Sequence, residues 1–168
     1  MKTLVIGLGN PILTDDGVGI YVAREVARCL PADAEVEVIE LATGGMALME
    51  AMVGFKRCIL IDAIWQPENM TGRVVVLDAG QLLDTLNVAS THDLDLPTAL
   101  RLGRSLGAFL PADEAIQIVA VTAHDVLVFG ESPTPRVAAA VRYAAAKVLG
   151  LLGYESPVRE CAFDTIFH

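Results

Sequence analysis

Basic residues are scarce in this chain: 12 Lys and Arg stand against 21 Asp and Glu in 168 residues, a formal net charge of -9. Nucleic acid and anionic membranes both require a basic face, so neither suits a chain with this balance. Cysteine is equally sparse. Cys29, Cys58 and Cys161 are odd in number and far apart, which argues against a disulfide framework or a Cys-rich zinc site and for buried thiols in a reducing compartment. Apolar residues make up 54% of the chain, yet none of their runs reaches the roughly 18 residues of a spanning helix. The opening "MKTLVIGLGN" passes from an apolar strand into glycines with no cleavage site, so no signal peptide and a cytoplasmic location are expected. Repeats and low-complexity tracts are missing, the metalloprotease string H-E-x-x-H does not occur, and no nucleophile elbow is expected.

What is present is alternation. Residues 2–6 form a short β-rich run ended by glycine, and residues 17–30 turn helical. At about 100° per residue, Arg24, Glu25 and Arg28 share one arc of that helix and nearly everything else is apolar. A second strand is predicted over 35–41, a short helix over 46–53, and a third strand over 57–64 that is apolar on both faces, as in a parallel sheet. The connector to the strand over 73–77 is too short for a parallel crossover, so that fourth strand should run antiparallel. A helix follows "HDLDLP", with Asp93 or Asp95 as N-cap and Gly107 as stop. A fifth strand covers 115–121, and Thr134-Pro135 opens the last helix. Met46, Met49 and Met52 read as one core-facing stripe. The expectation is one α/β domain over 1–153, a three-layer sandwich, with a mobile tail over 154–168.

Ligands of open α/β sheets bind outside the carboxyl ends of the parallel strands. The loop "GLGNPILTDDG" leaves the first strand there with Asp15 and Asp16, the third strand delivers Asp62, and His92 precedes the later helix. Asp16 or Asp15, with Asp62 and His92, would suit a divalent transition ion such as Zn²⁺ or Ni²⁺, with positions left open for substrate or water. The loop fails the dinucleotide fingerprint, because Ile12 stands where the third glycine belongs. Of the two aspartates, Asp15 reads as the cap of the helix that follows. His124-Asp125, beyond the fifth strand, reads as a polar loop or as a pair supporting the site.

The segments "GLGNPILTDDGVG", "ELATGGMALME", "ILIDAI", "STHDLDLPTAL" and "DVLVFGESPTPRV" cover most of the chain. Together they resemble the hydrogenase maturation proteases, endopeptidases that trim nickel-iron hydrogenase large subunits. The resemblance implies a phosphorylase/hydrolase-like α/β/α sandwich whose mixed five-stranded sheet has its fourth strand antiparallel. It places the metal-binding and catalytic residues at Asp16, Asp62 and His92, and substrate recognition in the loop after the second strand, at Glu40, Thr43, Gly44 and Gly45. Leu41-Ala42 departs from the two glycines usual in the family. The implied reaction removes the C-terminal extension of a large-subunit precursor whose own nickel occupies the site, though zinc would also fit. A metal-assisted water, with Asp16 or Asp62 as base, is the favoured attack. Two other readings stay open: a nucleotide-binding oxidoreductase using Gly7, Gly9 and Glu40, and an accessory protein that binds the immature subunit without cutting it.

Overall fold

The run "TLVIGL" has no charged interruption and forms β1 (Thr3–Leu8), buried from its second residue onward. A computed structural model describes residues 2–78 and 96–154. After β1 come α1 (Val18–Cys29), β2 (Val36–Leu41), α2 (Gly45–Met52), β3 (Cys58–Trp65), β4 (Val74–Asp78), α3 (Leu96–Ser105), β5 (Ile116–Ala123) and α4 (Pro135–Leu152). The five strands form one sheet in the order β2-β1-β3-β5-β4. All neighbours are parallel except β4, which runs antiparallel to β5. The short connector therefore does what its length required. It turns through Glu68–Met70, and Thr122 of β5 fastens it: the Arg73 N–H donates to the Thr122 hydroxyl at 2.9 Å and the hydroxyl donates to the Met70 carbonyl at 2.6 Å.

Each face of the sheet is covered by a helix pair. Val5, Ile59, Ile61, Val119 and Val121 pack under α1 and α4, which contribute Val22, Val26, Val137 and Val148. Leu4, Ile6, Leu60 and Ile118 pack under α2 and α3, which contribute Leu48, Met52, Leu96 and Leu100. The largely apolar central strands thus follow from burial on both faces. Met49 and Met52 are in this core, but Met46 is exposed: a spacing of three drifts about 60° per step around a helix, so Met46 and Met52 do not share a face, and Leu48 is buried instead. Cys58 is buried and Cys29 half-buried, and both are free thiols. Burial pushes the Cys58 thiol far above its usual range. Cys161, Asp93, Asp95 and the tail beyond residue 154 lie outside the described residues. No described helix is long and apolar enough to cross a membrane.

The helix over the first crossover sits unusually close to the strands. A Cβ on Gly19 would fall on the carbonyl oxygens of Leu8 and Ile61, and one on Gly7 would lie 2.6 Å from the Ala23 Cβ. Backbone meets backbone here, so no side chain can be accommodated without moving α1. Gly19→Ala is expected to cost about 3 kcal/mol through overpacking. For a chain of this size that corresponds to a melting temperature lower by roughly 10 °C. Gly150→Ala, at a helical site where a Cβ meets nothing within 4 Å, should melt no lower than wild type. Thermal unfolding followed by circular dichroism checks both, and equal melting of Gly19→Ala and wild type contradicts the packing argument.

Candidate active site

β1 stops at Leu8 while β3 continues, and the register sets Gly7 beside Ile61. Asp62 is therefore the next residue of β3 past the last β1 partner, opposite Ala120 of β5. It lies inside β3, within the span expected for the third strand, because Ala63 to Trp65 go on pairing with β5. By the two-residue alternation of a strand it shares the face of Cys58 and Leu60, the face that α2 and α3 cover. Its carboxylate is 2% exposed and accepts the Ala63 N–H at 2.8 Å.

Asp16 reaches the same edge from the opening loop. Gly9 adopts a φ of +149°, and a Cβ there would fall on the Asp16 carbonyl oxygen, so only glycine lets the loop fold back on itself. The Asp16 carboxylate is also 2% exposed and accepts the Asn10 N–H at 2.8 Å. Two buried carboxylates at one strand edge are tolerable because each accepts at least a backbone hydrogen bond. As a donor set they are hard oxygen ligands, which fits a divalent cation. Among the described residues no group of three His, Cys, Asp or Glu is placed to hold an ion. His92 lies outside the described residues. α3, which follows it in the chain, packs in the same core layer as Leu60.

Asp15 has a different task from the one its position suggests. The residue before α1 is Gly17, and no side chain caps that helix. The Asp15 carboxylate, 1% exposed, instead accepts the Thr134 N–H at 2.7 Å and the Thr134 hydroxyl at 3.0 Å. A longer contact from the Asp125 N–H measures 3.4 Å. Thr134 does occupy the N-cap of α4, but its hydroxyl is donated to Asp15 rather than used on its own helix. A carboxylate here also meets the positive end of α4. His124-Asp125 likewise belongs to this framework: Asp125 accepts the Asp15 N–H at 3.2 Å through its backbone, and His124 Nδ1 lies 3.1 Å from the Gln66 carbonyl.

Among the residues expected to recognise substrate, Glu40 ends in a two-pronged ion pair with Arg24 at 2.8 and 2.9 Å. The Glu40 hydrogen bond raises the Arg24 guanidinium above its usual value. Thr43 is exposed, Gly44 is the N-cap of α2, and Gly45 has a φ of +61° with open space around it. The loop after β2 is thus an accessible surface. A phosphate cradle is not formed beside it. The first amides of the α1 entry are engaged by the loop itself, Gly17 N–H to the Leu13 carbonyl at 3.2 Å and Val18 N–H to the Asp15 carbonyl at 3.1 Å. The letters of G-x-S-x-G do occur, against expectation, at Gly103-Arg104-Ser105-Leu106-Gly107. They end α3 rather than joining a strand to a helix, and the Ser105 hydroxyl donates to the Leu102 carbonyl at 2.7 Å. That serine is no nucleophile elbow.

Comparison with known proteins adds to this geometry. A family model described as hydrogenase maturation protease (HycI) matches residues 20–151. The hydrogenase 2 maturation protease of Escherichia coli is 27% identical over 98% of this chain and 100% of its own length. Among solved structures, the hydrogenase maturating endopeptidase HybD from E. coli superposes with a TM-score of 0.74 at 30% identity, covering 91% of this chain and 93% of that one. The nickel-iron hydrogenase maturation protease HybD from Thermococcus kodakarensis gives 0.72 at 25% identity, covering 90% and 99%. The mixed five-stranded sheet, with four helices among the described residues, matches the fold of these neighbours.

Removing the Asp15 carboxylate should unlatch the opening loop from α4. Asp15→Ala leaves the half-buried Thr134 N–H and hydroxyl without their acceptor and is expected to cost about 2 kcal/mol, whereas Thr134→Val loses only the hydroxyl bond and about 1 kcal/mol. Urea unfolding of both variants and wild type measures the order. Equal midpoints would contradict the latch.

Proposed function

Because this chain belongs to the hydrogenase maturation protease family, we propose that it removes the C-terminal extension of a nickel-loaded hydrogenase large-subunit precursor and does so only once the metal is in place. As a member of that family it is a peptidase of hydrogenase maturation. The observation that supports the finer reading is the pair of buried carboxylates, Asp16 on the loop leaving β1 and Asp62 on β3. With His92 they make an oxygen and nitrogen donor set for the nickel that the precursor carries. Thiolates of the substrate and the harder donors of the protease share a borderline ion, so an empty precursor lacks the anchor that seats it. Zinc satisfies the same donors.

Nickel held there would polarise what it touches and lower the pKa of a coordinated water. The chain's own residues supply the rest. Asp16 or Asp62 accepts the proton of the attacking water, each within a frame that fixes its carboxylate through a backbone amide. The loop after β2, from Glu40 through Thr43 and Gly44 to Gly45, borders the same edge and engages the precursor, with Glu40 acting together with Arg24. Self-satisfied amides at the entry to α1 weigh against the oxidoreductase reading.

Incubating the protein with nickel-loaded precursor should release a C-terminal peptide detectable by mass spectrometry, and nickel-free precursor should remain intact. Asp16→Asn, Asp62→Asn and His92→Ala are each expected to slow cleavage at least about 100-fold without altering the circular dichroism spectrum. Normal processing by all three variants would overturn the site, and binding without any cleavage by the wild type would favour the accessory-protein reading.

A further inference from the structure

The loop that carries Asp16 is joined along its length to the segment between β5 and α4. Thr14 donates to the Val128 carbonyl twice, from its N–H at 2.8 Å and its hydroxyl at 2.6 Å. The Gly130 N–H donates to the Ile12 carbonyl at 3.1 Å, and Leu13 and Phe129 form an antiparallel bridge. Behind that bridge stands the Asp15–Thr134 latch. What this hydrogen-bonded frame displays is apolar. Leu127 is 82% exposed, Phe129 79%, Ile12 56% and Val128 54%. In a chain of net charge -9, the stretch from Leu127 to Gly130 contains no charged residue.

Neighbouring exposed apolar side chains on a pinned backbone are unusual on a monomer surface and mark places where something docks. A second group, Leu106 and Phe109, is also exposed, but it lies beyond the end of α3, where the Phe109 carbonyl accepts the N–H of Gly54 just after α2. That is the amino edge of the sheet, opposite Asp16 and Asp62. Of these two groups, the tip made by Ile12, Leu127, Val128 and Phe129 is the one joined to the candidate active site, since Ile12 and Asp16 belong to one loop.

We propose that this tip is the docking surface for the polypeptide substrate, seating an apolar segment of the precursor beside the loop that carries Asp16. The inference rests on the peptidase reading above and adds to it the part of the protein that holds the substrate. A buried carboxylate pair offers direction but little area. The tip offers area with an aromatic anchor, the composition that carries binding energy at protein interfaces. Its cross-loop hydrogen bonds hold it in shape before the partner arrives, which lowers the ordering cost of association.

The test is steady-state cleavage of nickel-loaded precursor by wild type, by Leu127→Ser/Phe129→Ser, and by Leu106→Ser as a control at the amino edge. The substituted side chains are exposed and contribute little packing, so all three proteins should melt together, which melting curves verify. The tip variant is expected to raise KM about 10-fold or more, the scale of one interface hot spot, with kcat changed less than about twofold and the control unchanged. A tip variant with wild-type KM overturns the docking surface while leaving the peptidase reading intact. So does a loss confined to kcat. If KM is unchanged and the variant instead converts a wild-type dimer to monomer, the tip belongs to a second copy of the chain. A wild type that does not cut the precursor overturns both readings.

Discussion

At Gly19 the first turn of α1 rests directly on the carbonyl oxygens that end β1 and flank Asp62 in β3. No side chain separates helix from strands there, and the rest of the carboxyl edge depends on that approach. It brings the start of α1 down onto the sheet and forces the loop from Gly9 to Gly17 to fold tightly above the strand ends. Gly9 answers the same constraint from the other side, with its φ of +149° and its hydrogen set against the Asp16 carbonyl. Glycines that look like phosphate-binding residues in the sequence are therefore packing residues. They let a backbone come close to another part of the same backbone, and the ligand that a nucleotide fold would place in that space is replaced by protein.

The acids of the edge divide their labour according to partners. Asp15 faces across the molecule to the first turn of α4, where backbone and hydroxyl donors and the helix dipole offset the cost of burying it. Asp16, one residue on, turns toward Asn10 and the strand ends. Asp62 reaches that edge on a rigid strand hydrogen-bonded along both sides, the kind of support that holds a reacting group in place. On the proposed reading, a mobile-looking loop and a central strand act as a single unit because Asp15 and the Leu13–Phe129 bridge join the loop to α4 and to the segment after β5.

Much of the architecture was legible in the residues. Connector length alone gave the antiparallel β4, and the apolar run "CILI" gave the buried β3, because those signals come from chain length and burial, which act locally. Less legible was anything set by a distant partner. Asp15 reads as a helix cap since it precedes a helix, yet its partner Thr134 is 119 residues away. The fifth strand reads as ending at residue 121, yet pairing with β3 carries it on to Ala123. Met46 looks like part of a core stripe with Met49 and Met52, but its side chain is exposed and Leu48 is buried instead. The exposed tip gave no warning at all: "LVF" looks like interior sequence, and only the frame that pins it shows that these side chains face outward.

The central claim is that the opening loop presents a carboxylate to a metal rather than a cradle to a phosphate. Anomalous diffraction at the nickel edge, from crystals of this chain soaked with Ni²⁺, tests it most directly. The account predicts a peak at coordination distance, roughly 2.1 Å, from carboxylate oxygens of both Asp16 and Asp62. A nickel peak elsewhere on the protein with none between these two residues would contradict it.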